Sequence, residues 1–198
     1  MQQVIYLALH GETEWNQVRR FQGRLDSPVT SIGIDQSMRM GETLRQLING
    51  QIGWIVMSSP LQRARTTAQI ICNSLSIDPE FIEVDTRLAE IDIGSWSGLT
   101  REEIDTRWPC ILDAYSRYDW YFRSPDGESL DDLSERMENW LEDMTEHHQL
   151  IVVCHGIASR ILRGLYARLP KTTALALEVS RNTIWRLALG QIDRIPCK

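Results

Sequence analysis

The chain has 198 residues, 42% of them apolar and 24% charged, with a formal net charge of −6. A chain of this size and composition can bury a core without help from disulfides or metal, and its acidic balance argues against general electrostatic binding to nucleic acid or an anionic membrane. All but two of the 21 basic residues are arginines, the exceptions being Lys171 and Lys198. Cys72, Cys110, Cys154 and Cys197 stand far apart with no C-x-x-C pair, so neither a zinc site nor a disulfide framework is signalled. No apolar run approaches the roughly 18 residues of a membrane span, and Met1-Gln2-Gln3 opens no secretory signal. The expectation is one domain over residues 1–198 in a cytoplasmic protein.

In chain order, the first apolar run, Val4 to Leu9, is continuous rather than alternating, as in a strand buried on both faces. Similar runs occur at Trp54–Met57 and Leu150–Val153, with weaker strand signals at Phe81–Val84 and Thr183–Leu189. Helical periodicity fits Ser31–Ile48, Pro60–Leu75, Leu130–Glu146 and Ile157–Leu169. Ser59 before Pro60 predicts an N-cap, and Thr100 to Glu103 reads as a capping box. Strands alternating with helices predict an α/β domain, three layers (α/β/α) around a mainly parallel sheet. A segment at about 100–123 reads as a small helical insertion carrying Trp108, Tyr115, Tyr118, Trp120, Tyr121 and Phe122. Such a cluster serves either packing or the wall of a substrate pocket.

Two histidines share one local setting. His10-Gly11 follows the first strand and His155-Gly156 follows the strand ending near Val153. In parallel sheets ligands bind at the carboxyl ends of strands, which puts both imidazoles on one rim. Each glycine there would let the backbone turn sharply or approach a ligand. The helix opening after Ser58-Ser59-Pro60 adds an N-terminus suited to an anion, with Arg63 in its first turn as a two-pronged donor. Together these describe a phosphoryl or similar oxyanion site. Glu90, Asp92 and Glu12 are equal candidates for the acid that such chemistry needs. His147 and His148 end an acidic helix and complement its dipole.

Read together and in order, several blocks resemble the histidine phosphatase superfamily in its phosphoglycerate mutase-like branch. They are His10-Gly11-Glu12-Thr13-Glu14-Trp15-Asn16, Arg20 to Thr30, Ser58 to Ala64, Glu90 to Gly98, Gly127-Glu128-Ser129 and His155-Gly156. The resemblance implies that His10 takes the phosphoryl group as phosphohistidine and that Glu90 serves as acid, then base. It also implies that Arg63 and His155 hold the phosphoryl oxygens, and that Asn16, Gln22, Gly23 and Gly156 contact the substrate. A small phosphorylated substrate, no cofactor and no metal are implied, because cationic side chains supply the electrostatics. The oligomeric state stays open between monomer and homodimer.

One position departs from the pattern. The family signature opens Arg-His-Gly, whereas this chain reads Leu9-His10-Gly11. Either Arg20, Arg24 or Arg65 replaces the missing guanidinium, or hydrolysis is slow, or the protein binds phospho-ligands without turning them over. The length and Asp26-Ser27-Pro28 resemble phosphatase members more than sugar-phosphate mutases. Cys154 to Arg160 also reads as C-x5-R, the loop of cysteine-dependent phosphatases, but Ile157 stands where that loop usually has glycine.

Overall fold

The computed structural model describes residues 3–112 and 118–198. Its elements are β1 (Val4–Leu9), α1 (Glu14–Gln17), α2 (Ser31–Ile48), β2 (Ile55–Ser58), α3 (Gln62–Leu75), β3 (Glu83–Val84), α4 (Arg101–Arg107), α5 (Leu130–Asp143), β4 (Gln149–Cys154), α6 (Gly156–Tyr166), α7 (Lys171–Leu175), β5 (Thr183–Ala188) and β6 (Gln191–Pro196). The strands form one sheet in the order β3-β2-β4-β1-β5-β6. The pairs joining β3, β2, β4 and β1 are parallel; β5 and β6 close the far side antiparallel.

The continuous apolar runs follow from helices covering both faces. Ile5, Leu7 and Leu9 of β1, with Leu150, Val152 and Cys154 of β4, face a core completed by Leu133, Met137 and Trp140 of α5 and by Ile161 and Leu162 of α6. Tyr6, Ala8, Ile151 and Val153 face the opposite core, against Met40 and Leu44 of α2 and Ala68 and Ile71 of α3. An alternating strand would leave one of these layers polar.

Helix α2 spans the residues its periodicity predicts, opened by Thr30, whose hydroxyl accepts from the Gly33 N–H at 3.0 Å. The predicted box at Thr100 likewise opens α4. Helix α3 corrects an expectation: it starts at Gln62, with Leu61 rather than Ser59 at the N-cap position. Its free N–H groups are met from elsewhere in the chain. Asp26 accepts from the Gln62 N–H at 2.8 Å and the Arg63 N–H at 3.3 Å. The strand expected at Phe81–Val84 shrinks to Glu83–Val84, because Pro79–Phe81 form a 3-10 turn capped by Asp78.

Much of the aromatic segment serves packing. Trp120 is buried, with its ring 4.1 Å from Tyr121, 4.8 Å from Phe21 and 6.0 Å from Trp96. Tyr115 lies outside the described residues. Among the described residues no helix is long and apolar enough to cross a membrane.

Candidate active site

Because β1 and β4 are parallel neighbours with Leu9 paired to Cys154, His10 and His155 leave the sheet side by side. Their ring centroids are 5.1 Å apart. His10 Nδ1 lies 2.7 Å from the Gly11 carbonyl oxygen. A carbonyl can only accept, so Nδ1 carries the proton and Nε2 keeps its lone pair. Burial first, then the charges of Arg63 and Arg181, holds the His10 imidazole well below its usual pKa, so the ring is neutral at neutral pH. His155 is fully buried and held low in the same way, by burial and then Arg63 and His10. Its Nε2 is 2.6 Å from Ser59 Oγ, which also accepts from the Leu61 N–H at 3.2 Å, and its Nδ1 has no partner.

His10 opens onto a cavity of about 250 Å³ whose wall includes Asn16, Gln22, Gly23, Arg63, Glu90 and Gly156. His155 lies behind this wall rather than in it. Of the three candidate carboxylates, Glu90 alone reaches the cavity. Glu12 binds Thr30 and Gln17 instead, and Asp92 accepts from the Gly94 N–H. The Glu90 carboxylate sits at the start of α6. It accepts from the N–H groups of Ala158 at 3.0 Å, Ile91 at 3.1 Å and Ile157 at 3.2 Å.

Arg63 is held by the loop before α2. Its Nη1 donates to the Leu25 carbonyl at 2.6 Å and to Asp26 at 2.8 Å, and its Nη2 to the Gly23 carbonyl at 2.8 Å. That count leaves the Nε–H and one Nη2–H undirected, and Nε is buried with no partner. The expectation of an anion at the N-terminus of α3 is therefore corrected: Asp26 occupies those N–H groups, and the guanidinium edge is what remains free. Gly23 shapes this loop at a φ of +52°, where a Cβ would stand 2.6 Å from Ile93 Cγ1.

The same loop orients two amides. Asn16 Oδ1 accepts from the Thr13 N–H and hydroxyl, both at 3.1 Å, so its NH2 is left for the cavity. Gln22 donates to Thr13 Oγ1 at 2.9 Å and accepts from Ser27 at 3.2 Å. The glycines after the histidines differ. A Cβ on Gly11 would stand 2.2 Å from the Gly33 carbonyl oxygen of α2, so Gly11 admits a helix rather than a ligand. Gly156 lines the cavity, and a Cβ there would meet only ordinary contacts at 3.5 and 3.6 Å.

Sequence reasoning missed Arg181, Arg160 and Phe21, which also line the cavity; Tyr121 of the aromatic segment lines it too. Its proposed replacements for a guanidinium at position 9 are engaged elsewhere. Arg20 binds Glu103 at 2.7 Å and the Gly98 carbonyl; Arg24 binds the Glu90 carbonyl at 3.2 Å; Arg65 lines a separate cleft with Gln69 and Glu80. Arg181 Nε, by contrast, is buried without a partner. Leu9 belongs to the apolar core. Cys154 is fully buried, its thiol pushed up to about 12 chiefly by burial, and it is not on the cavity wall. A thiolate nucleophile does not fit there. Cys72, Cys154 and Cys197 form no disulfide, and among the described residues no three His, Cys, Asp or Glu side chains are grouped to hold a metal ion.

Comparison with known proteins agrees on one group. The profile of the histidine phosphatase superfamily, branch 1, matches residues 5–191. Proteins of Salmonella arizonae and Citrobacter koseri, each named "Probable phosphoglycerate mutase GpmB", are 36% identical over 191 residues, covering 92% of this chain and 83% of theirs. Bacillus stearothermophilus YhfR superposes with a TM-score of 0.80 at 27% identity, over 98% of this chain and 96% of that one. A mycobacterial glucosyl-3-phosphoglycerate phosphatase solved with VO3 shares the fold, with a TM-score of 0.81 at 24% identity over 99% of this chain and 100% of that one.

Proposed function

The chain belongs to branch 1 of the histidine phosphatase superfamily, and from that premise we propose that it hydrolyses small phosphomonoesters through a phosphohistidine on His10. The observation that carries this reading is the neutral His10, Nε2 unprotonated, facing a cavity with the orphaned Arg63 Nε on its wall and the orphaned His155 Nδ1 behind His10. The Arg63 Nε–H is a buried donor without a partner, which calls for a ligand that accepts, and a phosphoryl group does so.

In the first step His10 Nε2 attacks phosphorus, the ester P–O bond breaks, and protonated Glu90 gives its proton to the departing oxygen. In the second, Glu90 takes a proton from water, the hydroxide oxygen attacks phosphorus, and the N–P bond breaks. Inorganic phosphate leaves, with His10 neutral and Glu90 protonated again. Arg63 and the Asn16 NH2 hold the phosphoryl oxygens as charge moves between them, His155 supports His10 from behind the wall, Gln22 fixes Asn16 through Thr13, and Gly23 and Gly156 bring backbone close to the substrate. Phe21, Ile91, Ile93, Tyr121, Ile157 and Val179 supply an apolar wall that suits an ester with an apolar or aromatic leaving group.

The names of the GpmB relatives favour a second reading, phosphoryl transfer between positions of phosphoglycerate. Two substrates separate the readings. Release of phosphate from p-nitrophenyl phosphate, lost in His10→Ala, with no conversion of 3-phosphoglycerate to 2-phosphoglycerate, supports hydrolysis. Interconversion faster than phosphate release supports the mutase. Phosphate binding with neither reaction would make the protein a phospho-ligand binder on this fold.

A further inference from the structure

A phosphoryl group carries close to two negative charges, and the site described so far meets them with few positive ones. Both imidazoles are neutral, and the Arg63 charge is shared with Asp26 at 2.8 Å. Leu9, whose side chain is in the core, adds none. The sheet topology brings in another cation. Strand β5 runs antiparallel to β1, with Ile5 opposite Leu187 and Leu7 opposite Trp185. Continued in that register, Leu9 faces Thr183, so the residues just before β5 arrive at the rim from which His10 projects. Arg181 is there, on the cavity wall with His10, Arg63 and Glu90.

The other guanidiniums on the wall are tied down. Arg20 is fixed by Glu103, and Arg160 donates to the Leu177 carbonyl at 2.7 Å and lies over the Tyr118 ring. Arg181 has its Nε buried and unpartnered, and no hydrogen bond or ion pair holds its guanidinium among the described residues. Glu12 and Glu90 act on it only through space. The residue as a whole is half-buried, but a buried Nε–H is rarely left unpartnered, because it loses water without replacement.

We propose that Arg181 is the second guanidinium of the phosphoryl site, donating to the transferred group from the side opposite the Arg63 loop and replacing the charge that Leu9 does not supply. This rests on the phosphatase reading for its kinetic consequence but not for its binding consequence, and the two are measured separately. Inorganic phosphate and orthovanadate are titrated calorimetrically into wild type, Arg181→Gln, Arg181→Lys and, as a control outside the site, Arg65→Gln. Turnover of p-nitrophenyl phosphate is followed in parallel, and circular dichroism checks the fold.

The expected result is phosphate affinity at least tenfold weaker in Arg181→Gln, kcat lower by about 10², partial recovery in Arg181→Lys and no change in Arg65→Gln. Removing the charge beside His10 also makes its protonation easier, so the acid limb of the Arg181→Gln pH profile moves to higher pH, which a merely structural role would not cause. His10 faces Arg63, Arg181 and Glu90 across that cavity and packs against the His155 ring, and of these only Arg181 changes. A folded Arg181→Gln protein with phosphate affinity and kcat within twofold of wild type overturns the proposal. If Arg181→Gln does not fold, Arg181→Lys decides, because it keeps the charge but not the planar fork: several-fold weaker phosphate binding supports the role, and unchanged binding and kcat overturn it. If turnover proves independent of His10, the phosphatase reading fails, while the phosphate titrations still judge Arg181. A wild type that binds neither anion overturns both.

Discussion

Arg63 is held at the site by Asp26 together with the Leu25 and Gly23 carbonyls. One carboxylate both pairs with the buried guanidinium and caps the first N–H groups of α3, so the side chain and the helix that carries it share one anchor. Asp26→Ala removes both roles. The expected loss is roughly 1–3 kcal/mol of stability together with weaker phosphate binding, measured by urea denaturation and titration. Asp26→Asn keeps an oxygen for the caps and should recover most of the stability but less of the binding; equal loss in both properties would argue against the double role. His10, Arg63 and Glu90 were legible in the sequence because each stands in a local frame: a strand end, a first helical turn, a glycine-punctuated loop. Asp26 as the cap of a helix 36 residues later was not, since no local pattern links them. Arg181 was missed for a related reason. Looking for chemistry at the carboxyl ends of parallel strands overlooks an antiparallel strand, which brings its amino end to the same rim.

Among the elements, α2 packs tightly against the nucleophile's loop. Its Gly33 faces Gly11 and Glu12 so tightly that a Cβ at Gly33 would stand 2.2 Å from the Glu12 carbonyl oxygen. Backbone cannot swing aside as a side chain can, so Gly33→Ala must push the helix or the His10 loop outward. The expected cost is about 1–3 kcal/mol, as for other overpacked contacts, with kcat falling because His10 moves. Gly156→Ala, where the nearest atoms are at 3.5 Å, should leave the thermal midpoint almost unchanged; a large drop there would show that the start of α6 is tighter than these contacts imply. Helix α2 was predictable to its ends because Thr30 caps it locally. Helix α3 was misplaced because its caps are not local. Strand β6 was not anticipated: it is a largely exposed edge strand, joined to β5 through Leu189 and Gly190, both at positive φ, and carries no apolar run.

At the scale of the whole molecule, burying two neutral imidazoles ties folding to pH. The pKa values of His10 and His155 are well below normal in the folded protein, whereas an unfolded chain titrates its histidines near about 6.5. Above that pH their neutral forms cost nothing extra. Below it the unfolded chain binds protons that the folded one refuses, so stability is lost as pH falls toward the folded values. Each imidazole contributes a slope of up to about 1.4 kcal/mol per pH unit. Urea unfolding between pH 7 and pH 5, above the range of ordinary carboxylates near about 4, should show that decline, and His10→Gln should make it shallower. A flat profile would mean that both rings take up a proton without unfolding. The central claim is that His10 carries the phosphoryl group, and trapping that group tests it most directly. Protein quenched within milliseconds of mixing with a ³²P-labelled phosphomonoester should hold label that is stable in base, released in acid and absent from His10→Ala. Label that survives acid, or that persists in His10→Ala, would contradict the account.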